Sequence, residues 1–370
     1  MKRLLLIFLS ILLLTEAMPV SVFAADENGY LIVPCAENGA DVSDAIQAMI
    51  DDNPNRTLFF PDGEYLISKP IVTPAAPSKS VDLRLSNYAV LKAAPDFRGA
   101  ALVMLGGKDA ANDTHTNGSN YSLTGGILDG AGIANGIEIS GGRETAVREV
   151  SIKNTVIGLH ILFGANSGSS DADISDVNII GTNEPDSVGI LCEGYDNTFT
   201  NMRIGAVTTG VCIKSAGNVL RNIHPLYYSD DFETYKDSVG FVDECGSNLY
   251  DYCYSDNFRV GFRTARDLRS FYDHCFAFWY SDRGGEEICF EAQGRFNSVV
   301  TGMRIGFSGA TKNAVLKQDG FGTGMIENLT VDAAAAGHNL TYKLYMTDNL
   351  LGLIRLRIVQ ILVFFKMLRI

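Results

Sequence analysis

Between Leu123 and Val331 apolar and polar positions recur as one phrase: apolar, any residue, Asp or Asn or a substitute, apolar, any, apolar. A full copy is Ile174-Ser175-Asp176-Val177-Asn178-Ile179, and others lie at 147–152, 199–204, 220–223, 249–254, 271–276, 300–305 and 326–331. Successive copies start 21 to 29 residues apart. A second phrase, glycine-apolar-any-apolar, alternates with the first at 136–139, 158–161, 189–192, 210–213, 240–243 and 261–264. Further copies at 287–290 and 313–316 lack the glycine. Alternation with period two predicts short strands, and a fixed interval of this size predicts a solenoid, because no single coil can bury its own apolar face.

Laid in register, the glycine-led phrase predicts two inward columns. One runs Ile137, Leu159, Ile190, Val211, Phe241, Phe262, Ile288, Ala314, and the other Ile139, Ile161, Cys192, Ile213, Asp243, Thr264, Phe290, Leu316. Asp243 is the misfit: either its strand stops one residue early, or a carboxylate is buried there with a partner. The first phrase places His274 beside Val150, Val177, Met202 and Ile223, as an interior histidine.

The flanks differ from the repeat. Lys2 and Arg3, the apolar run 4–14 and Val22-Phe23-Ala24 read as a secretory signal peptide over residues 1–24, with an uncleaved anchor as the alternative. Residues 25–100 read as an N-terminal cap and first coils. There Ile46, Met49 and Ile50 suit one face of a short helix capped by Ser43 or Asp44, followed by strands around 57–60 and 65–67. The parallel coils are assigned to 101–348, and 349–370 to an atypical apolar, basic tail without the phrase. That tail reads as a capping helix, as a poor membrane span interrupted by Arg355 and Arg357, or as a segment foreign to the fold.

The cap carries a family likeness. Gly39-Ala40-Asp41 with Asp44-Ala45-Ile46-Gln47, then Phe59-Phe60-Pro61-Asp62-Gly63-Glu64-Tyr65-Leu66-Ile67, resembles the N-terminal signature of the pectate lyase superfamily, near its polygalacturonase-like branch and phage tailspikes. The resemblance implies an all-β, right-handed parallel β-helix with a short N-terminal capping helix, extending to about residue 332. It specifies a fold and not a reaction, because the superfamily holds lyases, hydrolases, epimerases and non-catalytic members. The usual Asp-Gly-x-x-Asp-Asp stretch is shortened here to Gly39-Ala40-Asp41-Val42-Ser43-Asp44.

Charge narrows the partners. The net charge of −13 rises in magnitude once the basic leader and tail are set aside, which argues against nucleic acid, whose phosphates need clustered Lys and Arg. The expected partner is a polysaccharide, with membrane contact only in passing through the signal peptide, and the expected location is secreted or at the cell surface. The seven scattered cysteines are no disulfide framework, although Cys253 and Cys275 share one repeat position, as two thiols or as a bridge. No Cys-x-x-Cys or His-x-x-x-His spacing occurs, so no metal centre or cofactor is expected. A calcium ion is compatible with the composition, but no ligand set for one is legible.

The polygalacturonase-like relatives use the outward face of the glycine-led strand. Outward positions on it here bring Glu193, Lys214, Glu244, Arg263 and Glu291 together over five coils about 5 Å apart, with His160 further along. Such a row suits general acid–base catalysis, and equally a solvated cross-strand charge ladder. Asp230 and Asp231 beside Tyr227, Tyr228 and Tyr235, and Trp279 with Asp282 and Arg283, are candidate sugar-binding loops or ordinary surface loops. The catalytic residues of polygalacturonases do not carry over: Thr208-Thr209 stands where they have Asp-Asp, and Ser238-Val239-Gly240 where they have Gly-His-Gly. The expected function is therefore a polysaccharide lyase or glycoside hydrolase of another kind. A non-catalytic glycan-binding or tailspike-like β-helix, or an inactive relative, is the alternative.

Overall fold

The computed structural model describes residues 29–35, 39–74, 77–108, 121–141, 143–163, 169–229, 231–307, 312–320, 322–332, 341–345, 355–357 and 360–361. The leader and Asp230 lie outside the described residues. The chain is a parallel β-helix. Each coil places two consecutive strands in a 23-stranded sheet, here called the bent sheet, and one strand in an 11-stranded straight sheet. Ser43–Asp52 is the one longer helix among the described residues, none of which forms a helix long and apolar enough to cross a membrane.

The Asp or Asn of the first phrase has a backbone cause. Glu149, Asp176, Asn201, Asn222 and Asn328 all have φ between 53° and 59°, the left-handed region that short polar side chains tolerate best. Each turns the chain between the two strands of the bent sheet, so the residue after it (Val150, Val177, Met202, Ile223) points inward again.

The glycine of the second phrase answers to packing. A Cβ on Gly158 would lie 2.5 Å from Ile179 Cγ2, and one on Gly210 2.5 Å from Pro225 Cβ, so the straight sheet approaches the bent sheet where a side chain is missing. This explains the copies without glycine. Gly261 is followed in the next coil by Cys289, not Glu287, because Phe262 pairs with Phe290 and Val260 with Ile288. The inward columns therefore continue through Phe290 and Leu316, and through Ala292 and Gln318, two residues beyond the expected positions. A slip of two keeps every side chain on its expected face.

A slip of one occurs in the bent sheet and inverts its residues. Leu220 pairs with Tyr250, and Tyr250 with Tyr272, where the phrase predicts Leu249 and Phe271. The left-handed bend then falls on Tyr252 and His274, with φ 53° and 49°. His274 is thus an exposed residue, stacked on Tyr252 and 3.0 Å from Asp273 through Nδ1, and the interior position belongs to Cys275.

The cause of the slip is Asp243, which is buried in its column. Its carboxylate accepts from the N–H groups of Cys245 (3.1 Å) and Gly246 (2.7 Å), Asn248 Nδ2 (3.2 Å), the Tyr250 hydroxyl (3.1 Å) and the Ser270 hydroxyl (2.6 Å). A carboxylate so supplied is stable inside, and it draws Tyr250 inward where Leu249 has nothing to offer it. Tyr250 then stacks on Tyr272 at 4.6 Å, and Phe241 on Phe262 at 4.9 Å.

At the N-terminal end the helix buries Ile46, Met49 and Ile50 over the first coils. Gln47 exchanges two hydrogen bonds with the backbone of Val72 (3.0 and 2.9 Å), completing an edge that another strand would otherwise claim. Neither Ser43 nor Asp44 caps this helix; the residue at that position is Val42, and Asp41 receives the N–H of Ser43 at 2.9 Å and of Ser68 at 3.2 Å. Of the tail, Arg355–Arg357 and Gln360–Ile361 pair parallel with Met325–Glu327 and Thr330–Asp332, as one more turn of the bent sheet.

Candidate functional site

The straight sheet turns two outward rows to solvent. Its register sets Glu138, His160, Leu191, Cys212, Val242, Arg263, Glu291 and Lys317 in one row. Glu193, Lys214 and Glu244, each just beyond the end of its strand, follow in a second, tied by Glu193 N to Ile161 O, Lys214 N to Cys192 O and Glu244 N to Ile213 O at 2.8 Å each. All six residues expected on this face are there. Glu291 belongs to the row of Arg263, and not to the row of Glu193 as expected.

The rows carry two clusters. In the first, His160 Nε2 lies 3.3 Å from Glu193 Oε2, and Lys214 Nζ 3.5 Å from Glu193 Oε1. In the second, Arg263 Nε donates to Glu291 Oε2 at 2.6 Å, with Lys317 Nζ 3.9 Å from Oε1. The side chains of His160, Arg263 and Glu291 are 16%, 20% and 12% exposed, so these contacts are partly withdrawn from water and stronger than surface pairs. Glu244 stands between the clusters, exposed, with the Cys212 thiol 3.8 Å from its Oε1. Burial, then the charge of Glu244, pushes that thiol up to about 12, so Cys212 stays protonated and is no nucleophile at neutral pH.

Glu193 and Glu244 rise from strands two coils apart, a backbone separation of about 9.6 Å. That backbone spacing is just above the ~6.5–9.5 Å between two carboxyl groups that admits a water for direct displacement at a sugar carbon, so the two side chains must lean together to work as a pair. Their surroundings differ: Glu193 is held by two cationic or protonatable partners and Glu244 by a thiol. Two carboxylates in unlike settings are what an acid–base pair needs.

The loops depart from expectation. Trp279 is 1% exposed, donates from Nε1 to Phe258 O at 2.6 Å and stacks on Phe307 at 5.0 Å. Its ring belongs to the core and cannot stack on a sugar, because it follows the inward alternation of Phe276–Trp279. Asp231 accepts from Glu233 N and Thr234 N, capping the short turn Phe232–Tyr235, and Asp282 accepts from Gly284 N at 2.8 Å. Arg283 donates to Ser229 O at 2.7 Å and lies over the rings of Tyr227, Tyr235 and Tyr280. These residues tie loops 227–237 and 280–286 to each other. The exposed rings in that region are Tyr228, Phe232 and Tyr280.

Two participants on the face were not singled out from sequence. Glu138 is 5% exposed, accepts from Ser140 Oγ at 2.7 Å and neighbours His160 across the ladder. Lys317 pairs in register with Glu291, and its Nζ lies 3.9 Å from Glu291 Oε1. Alternation places Glu138 outward, but nothing in the sequence reveals that it is covered. Among the described residues, no group of three or more His, Cys, Asp and Glu is arranged to hold a metal ion. No disulfide joins Cys253 and Cys275; the two buried thiols donate to Leu220 O and Tyr250 O, each at 3.4 Å.

The family described as rhamnogalacturonase A/epimerase, pectate lyase-like matches residues 36–233, more than half of the chain. The chain belongs to that family. Among solved structures it is similar to an alginate lyase from Paenibacillus sp. str. FPU-7, with a TM-score of 0.55 and 15% identity over 75% of this chain and 95% of that one. It is also similar to a tailspike protein of E. coli bacteriophage HK620, in double-mutant form, with a TM-score of 0.63 and 12% identity over 87% of this chain and 63% of the tailspike. An endo-xylogalacturonan hydrolase from Aspergillus tubingensis gives 0.50 and 13% over 83% of this chain and 99% of that one. No curated protein matches the sequence. At these identities the likeness establishes the parallel β-helix, and the chemistry rests on the residues of the face.

Proposed function

We propose that the protein cleaves an extended, extracellular polysaccharide lying along the outward face of the straight sheet, as a glycoside hydrolase. The observation that carries this is the pairing of Glu193, held by His160 and Lys214, with Glu244 two coils away. One carboxyl group would protonate the leaving oxygen while the other activates a water, and the Arg263–Glu291–Lys317 cluster would position the chain beyond the cleaved bond. If the substrate is a uronate, one of the two carboxylates would instead take the proton in a β-elimination, with the cationic Lys214 offsetting the uronate charge, and the protein would be a lyase. The family membership and the named activities of similar structures support a glycan as substrate.

A second reading, a glycan-binding β-helix without turnover, is favoured by one fact: the charged groups of both clusters are mutually paired, as in a structural ladder. Incubation with a panel of neutral and uronate polysaccharides separates these readings. New reducing ends alone identify a hydrolase, and unsaturated products absorbing in the ultraviolet a lyase; binding without product overturns the enzymatic reading. Glu244→Gln is expected to lower kcat by about 10²–10⁴-fold with little change in stability. Retained turnover in both Glu244→Gln and Lys214→Ala would place the site elsewhere.

A further inference from the structure

Loops 227–237 and 280–286 lead directly into the straight-sheet strands Val239–Asp243 and Glu287–Arg295. Beneath them Val239, Val260, Ile288 and Ala314 form a small buried cluster of their own. Val242, which belongs to the first outward row, packs against that cluster, so the loops stand at the wall of the groove. At their junction lies Glu287. It has no exposed surface, its Oε1 accepts from the Tyr235 hydroxyl at 3.2 Å, and its Oε2 is buried with no hydrogen-bond partner. A carboxyl oxygen left bare inside a protein is costly as an anion and tolerable as an acid.

The groups facing it come from each element packed there. Tyr235 arrives from the turn Phe232–Tyr235, Asp282 and Arg283 from loop 280–286, Arg259 from the segment before Val260–Ala265, and the uncharged Asn313 from the next strand. The Arg283 guanidinium donates to Ser229 O and lies over three tyrosine rings, which fastens loop 280–286 to loop 227–237. We propose that Glu287 is a pH-sensitive latch whose protonated carboxyl holds the two loops closed against the straight sheet, and whose ionisation releases them. As a means of regulating the groove, this rests on the function proposed above; as a property of the loops, it does not.

Burial, reinforced by the negative charge of Asp282, pushes the Glu287 carboxyl up to about 7 from an ordinary 4.5, against the opposing pull of its own backbone N–H, the Tyr235 hydroxyl and the Arg283 backbone N–H. For a raised acid the closed form is fully favoured below about 4.5 and loses that advantage as pH rises through about 7. With an open-state carboxyl at its ordinary value, the opening constant rises about 30-fold between pH 5.5 and 8.5.

The test is hydrogen exchange of the full-length protein without substrate, corrected for the intrinsic pH dependence of exchange. The emission of the single tryptophan, Trp279, immediately before loop 280–286, is followed in parallel. Expected are faster exchange in 228–237 and 280–286 at pH 8.5 and no change in the aliphatic coils 137–213. Glu287→Gln, which mimics the protonated acid, should remain closed at both pH values. Tyr235→Phe removes the donor that favours the anion, and should move the midpoint upward. Equal opening of the wild type at both pH values, or a pH dependence surviving in Glu287→Gln, overturns the latch. If Glu287→Gln does not fold, an unmoved midpoint in Tyr235→Phe overturns it instead. Exchange that switches while glycan turnover stays indifferent to the loops upholds the latch and removes the groove reading.

Discussion

The coils from Ile137 to Ile213 and those from Phe241 to Phe290 solve one problem with different materials. The first fill the interior mainly with Ile, Leu and Val, with Phe199 and Met202 among them, and there each expected inward position of the straight sheet is the observed one. The second fill it with Phe241, Phe262, Phe290, Tyr250 and Tyr272 arranged around the carboxylate of Asp243. In the aliphatic coils the inward positions are apolar throughout while the outward ones are mostly polar, so the pattern favours one register. In the aromatic coils Leu249 and Tyr250, like Phe271 and Tyr272, are both acceptable inward residues by hydropathy, and a buried hydrogen bond chooses between them.

Substitutions can break this contrast, beginning with the largest effect. Asp243→Ala strands the Tyr250 and Ser270 hydroxyls in the interior and frees the Cys245 and Gly246 N–H groups, and should cost about 4 kcal/mol in urea unfolding. In the aliphatic section Ile190→Ala should cost about 3 kcal/mol, from lost transfer energy and the cavity left behind. If Ile190→Ala proved the more damaging, the polar centre would not organise the aromatic coils. Tyr250→Phe keeps the ring and its stacking but removes one donor from Asp243, so about 1 kcal/mol is expected. Should Tyr250→Phe instead permit Leu249 to turn inward, strand protection around 249–254 would fall out of proportion to the energy lost.

The smaller effects concern charges. Burial tends to raise the Asp41 carboxyl, but the Ser43 and Ser68 hydroxyl and N–H groups outweigh it and hold it at about 2 against an ordinary 3.8. A depressed acid contributes stability above about 4 that is lost as pH falls toward 2, so the capping helix should loosen in that window before the central coils. Amide exchange at Ser43 and Ser68 reads this directly. Lys214→Ala removes a half-buried pair but leaves Glu193 its contact with His160, and should change stability by about 1 kcal/mol or less, whatever it does to turnover.

How far the candidate site could be read follows the same physics. A strand's period of two survives an error of two residues, so Glu291 is legible as an outward residue although its row is not, and Arg263 is legible in both. It does not survive an error of one, which is why His274 reads as an interior residue and stands outside. Trp279 departs from its expected place for another reason. Hydropathy does not tell an aromatic residue at the end of a strand from one at the start of a loop, and only the position of Phe307 in the next coil takes the ring inside.

By itself, then, the sequence determined the architecture: a spaced repeat of short alternating strands has no way to bury its apolar residues except by stacking. It also determined which face of the glycine-led strand meets solvent. Only the tertiary structure decided the register at Tyr250, the coverage of Glu138 and Glu287, and the division of one charged row into two paired clusters. Those outcomes depend on which hydrogen-bond partner wins, from Asp243 seven residues before Tyr250 to Tyr235 52 residues before Glu287, and the local alternation of apolar and polar residues carries no record of that choice.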